Sequence, residues 1–123
     1  MPSKSRAKKL IKTPAQAVHR YVTIKTFDEM TRQHKQLAEA YLRQQLFAGF
    51  EWAEKVLQAV AIKRHHPRRN HALDTLVRFK RQTKATRRRT ARRARGTVDG
   101  LCEKLDIVHP EYDAPPTIRN LKL

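Results

Sequence analysis

Apolar positions recur along this chain at a helical three-four spacing. Phe27, Met30, Leu37 and Tyr41 share one face, with His34 between them, and the stripe then moves by one place to Leu42, Leu46, Phe50, Ala53, Leu57 and Val60. No proline and a single glycine, Gly49, interrupt the run up to Arg64. The pattern therefore favours one long helix from Phe27 to Arg64, since AGFEW offers no Pro, Asn or Asp to make a turn, with Gly49 as the one candidate break that would divide it into two packed helices. Such a helix would run about 57 Å at about 1.5 Å per residue, more than a small domain covers with its own side chains, so part of it is expected to meet a neighbouring protein. Phe47, Phe50 and Trp52 ring its middle, as core of the domain or as a surface that a partner completes.

The flanks carry their own punctuation. Thr13, Pro14 and Gln16 spell a helix start, with a capping hydroxyl, a proline whose missing amide proton is not needed, and an amide that reaches back to the cap. Val22, Thr23, Ile24 and Thr26 crowd β-branched side chains and predict a break. Thr26 with Glu29 makes a second capping box, helped by Asp28. Downstream, HHPRRN ends the long helix at Pro67, and Asn70 is positioned to cap a second one from His71 to Arg95. Leu73, Leu76 and Val77, with Phe79, are expected to pack this second helix against the first. Beyond Lys80 only Ala85, Ala91 and Ala94 are apolar, so its C-terminal half is expected to leave the core. Gly96 reads as a helix end, and Thr97 or Asp99 as the cap of a short helix from Gly100 to Leu105.

The resulting expectation is an all-α fold: a small helical core built on one long helix and a basic second helix, with extended N- and C-terminal arms. In segments, 1–12 is a basic arm, 13–80 the helical core, 81–95 an arginine-rich helical extension, 96–108 a short helical segment and 109–123 an extended tail. Three prolines mark that tail, and Tyr112, Ile118, Leu121 and Leu123 are its apolar pegs.

Charge changes the picture most between residues 63 and 95. Fourteen Lys or Arg stand there against one acid, Asp74, a net +13 of the total +17. Such a field repels itself until a polyanion screens it, and nucleic acid does so while releasing condensed counterions. The first twelve residues add Lys4, Arg6, Lys8, Lys9 and Lys12 without an acid. They fit a binding arm, favoured here because lysines outnumber arginines, and also an organellar transit peptide. After residue 95 the balance turns acidic, three bases to five acids, so the C-terminal part is expected to face protein.

Catalytic chemistry finds little purchase. The chain has no Gly-rich phosphate loop, no HExxH and no Gly-x-Ser-x-Gly, and no carboxylate pair stands beside a histidine. We therefore expect no enzyme, no cofactor and no metal. His65, His66 and His71 cluster, but they lack a fourth ligand of zinc type, because the lone Cys102 is remote and reads as a small buried hydrophobe. No window is apolar enough for a membrane span. The expected location is intracellular, either a mitochondrial or other organellar matrix or the cytoplasm.

Arginine suits bidentate phosphate clamping, and interspersed threonines add neutral hydrogen bonds. The expected nucleic-acid-binding residues are Lys4, Arg6, Lys8, Lys9, Lys12, Arg68, Arg69, Arg78, Lys80, Arg81, Lys84, Arg87, Arg88, Arg89, Arg92, Arg93 and Arg95. The expected protein contacts are Phe47, Phe50, Trp52, Tyr112, Ile118, Leu121 and Leu123. A small core with basic arms and a proline-containing tail resembles, in composition and layout, the proteins that line large ribonucleoproteins such as ribosomes. That likeness implies a structural subunit bound to folded RNA, whose duplexes present shape and phosphate rather than base edges. Two other readings fit the charge. One is a helical protein-interaction subunit of a viral, phage or membrane-associated assembly, and the other is a DNA-binding or DNA-packaging protein.

Overall fold

A computed structural model describes residues 11–112, and the described part is all-α. Six helices follow in order: α1 (Pro14–Val22), α2 (Ile24–Phe27), α3 (Arg32–Phe47), α4 (Glu51–Ile62), α5 (Arg69–Arg81) and α6 (Lys84–Leu105). The helix α3 is the hub. It packs against α1, α4, α5 and, most extensively, α6, while α4 and α5 form a pair of their own.

The predicted start of α1 is present in full. Thr13 accepts from the amide of Gln16, and the Gln16 side chain accepts from the amide of Thr13 at 3.1 Å. The β-branched break falls at Thr23, where the chain turns extended. Thr26, however, does not cap a helix. Its hydroxyl donates to the carbonyls of Arg20 and Thr23, which holds the single turn of α2 against α1, and α3 is capped instead by Thr31, which accepts from the amide of His34.

The expected long helix is two helices, divided at Gly49. There the backbone takes φ +96, the amide of Gly49 donates to Leu46 O and that of Phe50 to Gln45 O, both at 3.0 Å. This is the paired closure that a single left-handed residue gives to a helix end, and glycine alone supplies it without strain. The turn needs no Pro, Asn or Asp, which is why the sequence around it looked continuous. Folded back on itself, the run covers most of its apolar stripe with its own chain, although Ile62 stays exposed. Leu37, Tyr41, Leu42, Leu46, Val56, Leu57 and Val60 are all buried within the domain.

The basic second helix is also two. The chain turns extended at Gln82 and Thr83, and Thr83 caps α6 by accepting from the amide of Thr86. The helix α5 begins at Arg69, with Asn70 inside its first turn and not at the cap. Its inward face is Ala72 and Thr75, flanked by Leu76 and Phe79, whereas Leu73 and Val77 point outward and are 38% and 45% exposed. Gly96 does not end a helix. The helix α6 runs through it and through Gly100 to Leu105, and Asp106 in the left-handed region (φ 55) closes it.

The largest departure from expectation concerns the arginine-rich stretch, which does not leave the core. Ala91, Ala94, Val98 and Cys102 form an inward stripe on α6 and are buried against the domain. Two alanines among six arginines give little hydrophobic signal, but small side chains let helices approach closely, and Val98 and Cys102 extend the contact. Past α6 the chain folds back. Ile107 is buried, its amide donating to Cys102 O, and the amide of Val108 donates to Lys12 O.

Candidate nucleic-acid interface

With its alanine stripe turned inward, α6 has little choice about where its cations go. Arg88, Arg89, Arg92 and Arg93 are exposed, and among the described residues no carboxylate pairs with any of them. The first acid on α6 is Asp99, so the helix carries a purely positive surface for its first four turns. Gly96 and Gly100 continue the outward side, and a Cβ at either would meet nothing within 4 Å. The result is a ridge of guanidinium groups on a backbone that the core fixes from behind, leading to a stretch where the backbone itself is bare.

Two arginines of the same run have other work. Arg87 lies over the Phe79 ring, 4.0 Å from its centroid, and its Nε donates to Phe79 O at 2.9 Å, which locks the α5–α6 joint. Arg95 stacks on Tyr112 at 4.2 Å, and the Tyr112 hydroxyl donates to Asp99 at 2.6 Å. Burial and the Asp99 carboxylate both push the Tyr112 hydroxyl upward from its ordinary pKa. Tyr112 is thus docked on α6 of its own chain.

Arg68 is also engaged internally. Its guanidinium donates through Nε and Nη2 to Glu39, and His71 Nε2 lies 2.9 Å from the same carboxylate oxygen. Burial works to raise the Glu39 pKa, but the hydrogen bonds and charges of His71 and Arg68 outweigh it and hold the carboxyl below its usual range. The ion pairs of Glu39 thus run from α3 to the α4–α5 turn and to α5. Beside this pair His66 is buried, with Nε2 3.0 Å from Tyr21 O and Nδ1 accepting from the Arg68 amide at 3.0 Å. Burial is the main force lowering its pKa. Of the three clustered histidines, only His65 faces solvent, and the described residues contain no group of three His, Cys, Asp or Glu that could hold a metal.

Lys12, Arg69, Arg78, Lys80, Arg81 and Lys84 are exposed, although Arg69 Nε also donates to Ala61 O at the end of α4. Arg43 sits on α3 near Arg78. Burial chiefly lowers its pKa, opposed by Glu39 and assisted by the Arg78 charge. No periodicity could have linked these two, because α3 and α5 meet only through the tertiary fold. Phe47 is buried and edge-on to Phe79, and Trp52 packs beside Tyr41 while its Nε1 donates to Gln45 at 3.2 Å. Phe50 is half-buried at the start of α4. Cys102 is fully buried, and burial together with Asp99 pushes its thiol up to about 11, as suits a packing residue. Lys4, Arg6, Lys8, Lys9, Ile118, Leu121 and Leu123 lie outside the described residues. No helix among the described residues is long and apolar enough to cross a membrane.

No protein-family model, curated protein or solved structure matches this chain. The functional reading therefore rests on the geometry of α6.

Proposed function

We propose that the chain is a structural, non-catalytic RNA-binding subunit of a large ribonucleoprotein of the ribosomal kind, with α6 as its main contact with folded RNA. The observation that carries this reading is the two-sidedness of α6. One face is anchored in the core through Ala91, Ala94, Val98 and Cys102, while the other holds Arg88, Arg89, Arg92 and Arg93 outward with no carboxylate among the described residues paired with them. A pre-formed cationic ridge loses less side-chain and backbone freedom on binding than a disordered tail does, and it suits the fixed phosphate rows of an RNA duplex. Arginine forks grip phosphate bidentately, and the exposed turns at Gly96 and Gly100 let a nucleic-acid backbone come close to the helix. The exposed cations of α5 and the basic N-terminal residues would extend the contact.

The test is a titration of the full chain against a structured RNA hairpin and a DNA duplex of equal length between about 50 and 200 mM salt. Neutralisation of four phosphates gives a log–log slope of about −3 to −4, and RNA is expected to bind more tightly than DNA. Affinity independent of salt would overturn the reading, and equal affinity for DNA would transfer it to a DNA-binding protein.

A further inference from the structure

Asp74 is the one acid between Lys63 and Arg95, and it stands on the outward side of α5. It shares that side with Val77, Arg78 and Arg81, and these four with Gln82 line an open cleft of about 300 Å³ where α5 gives way to α6. Two features make the cleft more than a gap between cations. First, the Asp74 carboxylate pairs with no cation among the described residues, although Arg78 follows one turn later on the same helix. A free carboxylate on a phosphate-collecting surface repels phosphate, so it is useful there only against a donor of hydrogen bonds. Second, Gln82 Oε1 accepts from Thr90 Oγ1 at 3.0 Å, which fixes the amide against α6 and leaves its two N–H bonds for a ligand. Val77, nearly half exposed, supplies an apolar patch beside them.

Taking the RNA-binding reading above as its basis, we propose that this cleft holds a single unstacked guanine nucleotide of the bound RNA. Asp74 accepts from guanine N1–H and N2–H, the Gln82 amide donates to O6, Val77 lies against the base, and Arg78 and Arg81 hold the flanking phosphates. Guanine is the base with two adjacent N–H donors on its Watson–Crick edge, which a carboxylate accepts side by side. Cytosine, adenine and uracil each offer one donor position. Unpaired nucleotides are also the places where folded RNA exposes such an edge, so α6 would grip the duplex while the cleft selects where along it the protein stops.

The experiment compares binding of the full chain to hairpins of one stem that carry a bulged G, A, C or U, or no bulge. The bulged G is expected to bind about tenfold more tightly than the others, in line with one bidentate contact. Asp74→Asn should abolish that preference and leave affinity for the unbulged stem equal or slightly higher, with the melting temperature unchanged because Asp74 is exposed. Salt-dependent binding without discrimination among bulges by the native chain would overturn the cleft and leave the RNA reading intact. A guanine preference that survives in Asp74→Asn would also overturn it, by showing that the base is read elsewhere. Failure to bind any of the hairpins would overturn both readings.

Discussion

The imidazole of His66 is bound at both nitrogens in a way that suits only the neutral ring. Nε2–H can donate to Tyr21 O, and Nδ1 accepts from the Arg68 amide. A proton on Nδ1 would set two N–H groups against each other, inside a contact that includes the rings of Tyr21 and Phe27, each 5.7 Å away. Because the folded pKa is lowered, the unfolded chain takes up more protons as pH falls through about 6.5, and stability falls with it. His34, lowered by burial and by Arg20, adds to the same trend, and Glu39, held low, extends it to more acid conditions. We expect thermal melts to show lower stability at pH 5.5 than at pH 7.5, with a smaller difference in His66→Gln. An equal pH dependence in that variant would assign the effect to other groups. The sequence marked His66 only as one of three clustered histidines. Its role depends on a carbonyl 45 positions away, which no local pattern reveals.

At the scale of the elements, glycine has opposite meanings in the two places where it matters. Gly49 takes φ +96, so Gly49→Ala is expected to destabilise by about 1 to 2 kcal/mol through backbone strain alone, since a Cβ there meets nothing within 4 Å. Gly96 and Gly100 are helical with open space around them, and either changed to Ala should stabilise by about 0.5 to 1 kcal/mol. Urea melts of the three variants check both signs, and a gain at Gly49 or a loss at Gly96 would contradict the assigned turn and helix. The start of α1 at Thr13 was legible in the sequence, and so was the break after Val22, whereas the starts read at Thr26, Asn70 and Asp99 were not where the helices begin. The ends of α3 and α6 were not legible, because each closes on one left-handed residue, Gly49 or Asp106, and a glycine also fits inside a helix, as Gly96 does. The choice is made by tertiary packing: α3 and α4 each bury an apolar stripe only if the chain reverses at Gly49.

For the whole molecule, the central claim is that one helix serves both fold and ligand through opposite faces. Arg88, Arg89, Arg92 and Arg93 are exposed, but on a helix whose other face is buried and not on an extension that leaves the core as the sequence suggested. The sequence could not assign Arg87 and Arg68 to structural work, because Phe79, Glu39 and the core stripe become neighbours only on folding. The most direct measurement replaces Arg88, Arg89, Arg92 and Arg93 together with Ala, and Arg87 alone with Ala, and follows melting and RNA affinity at several salt concentrations. The fourfold variant should keep or slightly raise its stability as repulsion is relieved, while its salt slope flattens by about 3 to 4 units. Arg87→Ala should lose about 1 to 2 kcal/mol of stability, from the Phe79 contact and its hydrogen bond, and change the slope by at most about one unit. A fourfold variant that unfolds, or that binds RNA with an unchanged slope, would contradict the account.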